Sequence, residues 1–105
     1  MLLITLENQA NQCFNLYAGG INWEITLKHN PAGFTMASIK ADNKELCQNT
    51  KCFANQNILP YFWQSQKGNF IFVTENEEYP VFENYGKTCF LYFLEPGEAY
   101  ANANN

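Results

Sequence analysis

The chain has 105 residues, a mass of 12.1 kDa and a net charge near −4, with six Lys, no Arg and ten carboxylates. That length holds one core, expected as a single β domain over residues 1–97 with a mobile tail over 98–105. Hydrophobic residues at 47% and aromatics at 16% exclude a disordered chain, and an acidic balance without Arg excludes a nucleic-acid-binding surface.

The pattern along the chain is period two, the signature of strands with one wet face. Met1 to Glu7 opens with an apolar run but lacks a basic n-region and a small-residue cleavage site, so it reads as a first strand and not a signal peptide. Cys13 to Tyr17 reads as the next strand. Gly19-Gly20 supplies the positive φ of a tight hairpin. In Ile21–Lys28, the residues Ile21, Trp23, Ile25 and Leu27 point one way and Asn22, Glu24, Thr26 and Lys28 the other. His29-Asn30-Pro31-Ala32-Gly33 is a turn. A strand from Phe34 to Ala41 follows, then an Asp42-Asn43-Lys44 turn into Glu45–Gln48.

The middle of the chain is less regular. Asn57 caps at most a short helical turn near residues 56–63, with Pro60 in its first turn. Lys67-Gly68-Asn69 is a turn. Phe70–Thr74 lacks alternation, so it is a strand covered on both faces. Glu75 to Glu78 is an acidic turn, and Tyr79-Pro80-Val81-Phe82 a short edge segment, because Pro80 cannot donate to a ladder. The last strand, Thr88–Leu94, is apolar on both sides. One side is the core; the other faces a second sheet or a partner subunit. These elements predict an all-β fold, a small antiparallel β-sandwich or barrel of about seven to eight short strands.

Few residues suggest chemistry. His29 is the one histidine and reads as a solvated turn residue. Glu75, Glu77 and Glu78 share one exposed turn, whereas glycosidases need two carboxylates across a cleft. Cys13, Cys47, Cys52 and Cys89 lack zinc-knuckle spacing and read as buried or semi-buried free thiols, with a Cys47–Cys52 disulfide as the second reading. Gly19-Gly20 lacks the Lys-Ser/Thr of a phosphate loop. No run of apolar residues reaches the length of a transmembrane helix. The expectation is therefore a non-enzyme with no metal, cofactor, nucleic acid or membrane to bind.

The aromatics Tyr61, Phe62, Trp63 and Trp23 allow two readings. One is core packing with an oligomer contact, since aromatics are enriched in interfaces. The other is a monomeric carbohydrate or small-molecule binding module with an exposed aromatic shelf. The candidate interface comprises Trp23, Phe62, Trp63, Phe90, Tyr92 and Leu94.

The Gly-Gly hairpin, Leu27-Lys28-His29-Asn30, the restart at Gly33-Phe34, Ile39, the Asp42-Asn43 turn and Leu46 form an ordered set. Ile58-Leu59-Pro60-Tyr61, Gly68-Asn69-Phe70 and the stretch from Phe82 through Tyr85-Gly86 and Cys89 to Leu94 continue it. From about Leu3 to Leu94 the chain resembles the small all-β baseplate plug proteins of contractile-tailed bacteriophages and prophages. It carries Phe34 where that family often has Trp, and Lys28 where it often has Arg. The resemblance implies a structural protein without catalytic residues, assembling with other tail and baseplate proteins and expected to be a homo-oligomer. It also implies assembly in the host cytoplasm and residence in the virion.

Overall fold

A computed structural model describes residues 1–59 and 67–98. Seven strands are present among them: β1 (Leu2–Ile4), β2 (Asn11–Ala18), β3 (Ile21–Asn30), β4 (Phe34–Ala41), β5 (Lys44–Lys51), β6 (Asn69–Thr74) and β7 (Cys89–Leu94). They form two antiparallel sheets, one in the order β1-β7-β6 and one in the order β2-β3-β4-β5. The fold is all-β, as the alternation predicts, with short 3-10 turns at Glu75–Glu77 and Phe82–Asn84. Residues 56–59 hold an isolated bridge at Asn57 and no helix; the rest of the expected helical turn lies outside the described residues.

The four-stranded sheet is a meander built by local turn chemistry. Gly19 and Gly20 have φ of +62° and +76° and close the β2–β3 hairpin with Ala18 opposite Ile21. This is the primed turn whose twist matches its strands. Asp42 and Asn43 take φ of +48° and +67° and close β4–β5 with Ala41 opposite Lys44. Asp42 is also tied to β3. Its N–H donates to the Asn22 carbonyl at 2.9 Å, and its carboxylate accepts the Asn22 N–H at 3.0 Å.

Several boundaries differ from the sequence reading: β2 runs from Asn11 to Ala18, Lys44 and Asn69 are strand and not turn residues, β7 starts at Cys89, and β3 and β5 run on past their expected ends. His29 and Asn30 belong to β3, opposite Thr35 and Phe34, so the turn is shorter than expected. The Asn30 side chain accepts the Ala32 N–H at 2.8 Å, a local bond that starts the turn inside the strand's own last residue. Strand β5 runs on to Lys51 because it carries two register shifts against β4. Between Ala37–Thr50 and Ile39–Cys47 it holds one extra residue, and Asn49 there takes φ of +51° with its N–H on Ser38 Oγ. A bulge of this kind breaks side-chain alternation.

The core lies between the sheets. Ile21, Trp23, Ile25 and Leu27 of β3 meet Phe70, Phe72, Leu91 and Phe93 of the other sheet. Trp23 packs edge-on to Phe70 with centroids 5.2 Å apart, and Phe93 lies 5.6 Å from it. The indole N–H donates to the Ala18 carbonyl at 3.1 Å, so the buried tryptophan has its polar handle satisfied.

Side-chain amides and loop backbone finish the edge of β6. Asn69 is fully buried. Its amide nitrogen donates to the Leu59 carbonyl at 3.0 Å, and its oxygen accepts the Leu59 and Phe70 N–H groups at 2.9 and 2.7 Å. The side chain thus copies one rung of a strand ladder. Farther along, Asn55 and Ile58 donate their N–H groups to Phe72 and Phe70, each at 2.8 Å. The segment Tyr79-Pro80-Val81-Phe82 is not an edge strand. Pro80 is buried, its carbonyl accepts the Thr35 hydroxyl at 2.9 Å, and the chain turns into the second 3-10 turn at Phe82.

Candidate functional site

The two sheets present unlike outer faces. On the four-stranded sheet, Glu24, Thr26, Ser38, Lys40, Glu45 and Cys47 line a small polar hollow, and Tyr17 stands 75% exposed. On the three-stranded sheet, the inward residues are Cys89, Leu91 and Phe93. Alternation therefore turns Phe90, Tyr92 and Leu94 to the opposite face. There Ile71 and Leu94 form a second apolar cluster, with Val73 and Tyr92 packed against it. Leu3 pairs across the ladder with Tyr92 and is 51% exposed. A hollow of about 220 Å³ opens at the β1 side of this sheet, lined by Leu3, Thr5, Leu6, Gly86, Cys89 and Phe90 among others.

The candidate residues separate accordingly. Trp23 is 0% exposed and belongs to the core, so it is not a surface residue. Its place was already readable, because it alternates in step with Ile21, Ile25 and Leu27. Leu94 is only 3% exposed, shielded in the second cluster with Ile71. Phe90 and Tyr92 are half-buried on the outer face. Phe62 and Trp63 lie outside the described residues. Leu3 was missed, since a strand of three residues gives too few alternations to assign a face.

Groups with possible chemistry are scattered. His29 is a strand residue, not a turn residue, and is half-buried. Its ring meets Phe82 edge-on at 5.0 Å, and its Nδ1 is buried without a hydrogen-bond partner. All four cysteines are free thiols; Cys52 and Cys89 are buried, Cys47 is half-buried and Cys13 is exposed. The Cys47–Cys52 disulfide reading is thereby set aside. Burial pushes the Cys52 thiol up, with the neighbouring Cys47 and Cys89 adding to it. Burial, then the Glu78 carboxylate, pushes Cys89 up to about 12. Cys47 is also raised, first by burial. Thiols held protonated in this way are poor nucleophiles and poor metal ligands.

Among the described residues no group of three or more His, Cys, Asp or Glu is placed to hold a metal ion. Among them, too, no helix is long and apolar enough to cross a membrane. Among the described residues, the arrangement offers an apolar sheet face.

A comparison with curated proteins returns no match. A family model described as cyanophage baseplate Pam3 plug gp18 matches residues 1–96. The match spans both sheets and every strand described above, and by it the chain belongs to the family of the cyanophage Pam3 baseplate plug gp18.

Proposed function

We propose that this chain is a non-enzymatic structural component of a phage tail baseplate, working by protein–protein assembly. The observation that carries the reading is the family match over residues 1–96. The geometry supports it through the outer face of the three-stranded sheet, where Leu3, Phe90 and Tyr92 stand beside an apolar cluster. An apolar patch on a sheet face is a common contact surface between proteins. Its partners are other baseplate and tail proteins and further copies of the chain. The protein then assembles in the host cytoplasm and resides in the virion tail.

The carbohydrate-shelf reading rests on Tyr61, Phe62, Trp63 and Trp23. Trp23 is interior, and the other three lie outside the described residues. No described residue therefore favours that alternative.

Light scattering over a concentration series tests the proposal, alone and after co-expression with the other tail proteins of the same phage genome. The expected result is a mass at least twice 12.1 kDa, or a stable complex with a tail protein. Such an interface buries more than about 1,000 Å² in total. A strict monomer in both settings overturns the proposal.

A further inference from the structure

Lys51 ends β5 with its ammonium held among three aromatic rings. Nζ lies 4.5 Å from the centroid of Phe34, 4.7 Å from Tyr79 and 5.3 Å from Phe53. These distances are within the range of cation–π attraction. The rings come from three separate segments: the first residue of β4, the residue two past β5, and the segment before the second 3-10 turn. Phe53 and Tyr79 stand 6.1 Å apart and are 43% and 49% exposed. They are two of the six large hydrophobic residues that the described chain leaves in solvent.

An ammonium has three donors and needs acceptors. Among the described residues, the Lys51 ammonium has no carboxylate partner; the one salt bridge joins Met1 to Glu98. The chain has ten carboxylates and a net charge near −4, yet none of the described ones meets this cation. Ring faces stabilise the charge and take its N–H groups only as weak π contacts, short of the charge-assisted bonds a carboxylate makes. They also restrain a side chain that is otherwise flexible, so part of the ordering entropy of binding is already spent.

We infer that Lys51, seated on Phe34, Phe53 and Tyr79, is a docking point for an acidic segment of a partner protein. A Glu or Asp carboxylate of the partner takes the free ammonium donors, and an apolar residue beside it lies on the exposed rings of Phe53 and Tyr79. The commitment to a carboxylate follows from charge: a cation held on an apolar platform, with no carboxylate beside it among the described residues, is complementary to an anion with an apolar neighbour. The exposed rings of Tyr79 and Phe53 are of the residue types enriched at protein interfaces. The inference shares with the proposed function the premise that proteins dock on this chain, but it uses a separate surface.

The probe is a short capped peptide, acetyl-Gly-Phe-Glu-Leu-Gly-amide, titrated into the full chain by heteronuclear NMR. Saturable shifts are expected at Lys51, Phe53 and Tyr79, with a dissociation constant below about 10 mM. The peptide with Gln in place of Glu should bind about tenfold more weakly or not at all. Lys51→Met keeps the apolar stem and should lose binding of the Glu peptide, whereas Lys51→Arg should keep it. Equal binding of the Glu and Gln peptides overturns the inference, as does an absence of saturable shifts. A Lys-containing peptide that displaces Lys51 from the rings also overturns it, because the rings are then a receptor for a partner's cation. Failure here while the chain still assembles through Phe90 and Tyr92 removes this inference alone. Loss of assembly while Lys51 still binds the Glu peptide removes only the proposed face.

Discussion

The phenol of Tyr85 lies 2.7 Å from the hydroxyl of Thr35, and both side chains are buried. Thr35 in turn donates its one hydrogen to the Pro80 carbonyl at 2.9 Å. The proton order follows: Tyr85 donates to Thr35, and Thr35 donates to Pro80. This relay joins the start of β4 to the irregular segment between β6 and β7. Tyr85 also stacks on Phe72 at 5.7 Å, so the ring is fixed by packing and its tip by hydrogen bonding.

The relay predicts unequal losses at its two members. Tyr85→Phe removes the donor but leaves Thr35 bonded to Pro80, and should destabilise by about 1–2 kcal/mol. Thr35→Val strands both the phenol and the Pro80 carbonyl in the core, and should destabilise by about 3 kcal/mol. Urea unfolding at neutral pH measures both. Equal losses would show that the proton order is wrong.

Burial gives a second prediction, in alkaline solution. The Cys52 and Cys89 thiols and the Tyr85 phenol are all raised above their ordinary values of 9.0, 9.0 and 10.0, in each case first by desolvation. The unfolded chain loses these protons near the ordinary values, while the native chain keeps them. The native state therefore binds more protons above about pH 9, and stability falls as pH rises. The contribution is fully present below pH 9 and declines by about 1.4 kcal/mol per pH unit for each group that has passed its unfolded value. Urea midpoints from pH 8 to pH 11 should fall steeply, and Cys52→Ala should shallow the slope. A flat profile through pH 10.5 would contradict the burial of these groups.

Gly68 carries a third prediction. Its φ is +134°, and a Cβ there would sit 2.7 Å from two ring carbons of Phe93 and 3.0 Å from the Leu94 carbonyl. Phe93 is locked against Trp23 and Phe70, so its ring has little room to give. Gly68→Ala combines backbone strain with overpacking and should destabilise by about 2–4 kcal/mol. Gly20 has φ of +76° and open space around it, so Gly20→Ala should cost only about 1 kcal/mol from the backbone alone. Thermal unfolding of the pair separates the two effects. A Gly68→Ala loss no larger than that of Gly20→Ala would mean that Phe93 moves freely.

What was legible in the sequence is what local chemistry decides. Two hairpins follow from Gly19-Gly20 and Asp42-Asn43, and the strand at Phe34–Ala41 has the expected ends. The β3 alternation also placed Trp23 on the core side, and reading it as a surface aromatic set residue type above position. What stayed hidden depends on distant partners. The β5 bulges arise from pairing with β4, so the mixed pattern of Lys44–Lys51 gave a short strand. Pro80 is buried by its bond to Thr35, 45 residues away, and nothing nearby signals it. The ring cluster around Lys51 joins residues of β4, β5 and a late loop, which no local pattern brings together. The asymmetry of the two outer faces was half visible: doubly apolar β7 announced a covered or contacting face, but not which residues it leaves open.

That asymmetry yields the last prediction, which separates core aromatics from face aromatics. Trp23 is wholly interior and touches Phe70 and Phe93, so Trp23→Ala should destabilise by about 3–5 kcal/mol through transfer and cavity terms. Any loss of assembly in that variant follows from loss of fold. Phe90 and Tyr92 point away from this core and are half-buried. Phe90→Ala and Tyr92→Ala should keep a cooperative urea transition, with losses of about 1–2 kcal/mol for the partly buried area. In a double variant the self-association or partner binding seen by light scattering should fall by about tenfold or more, because aromatics at the centre of an interface dominate its energy. If the double variant folds and assembles like the parent, the contact surface is not this face. The polar outer face of the four-stranded sheet around Glu24 and Lys40 would then be the next surface to mutate.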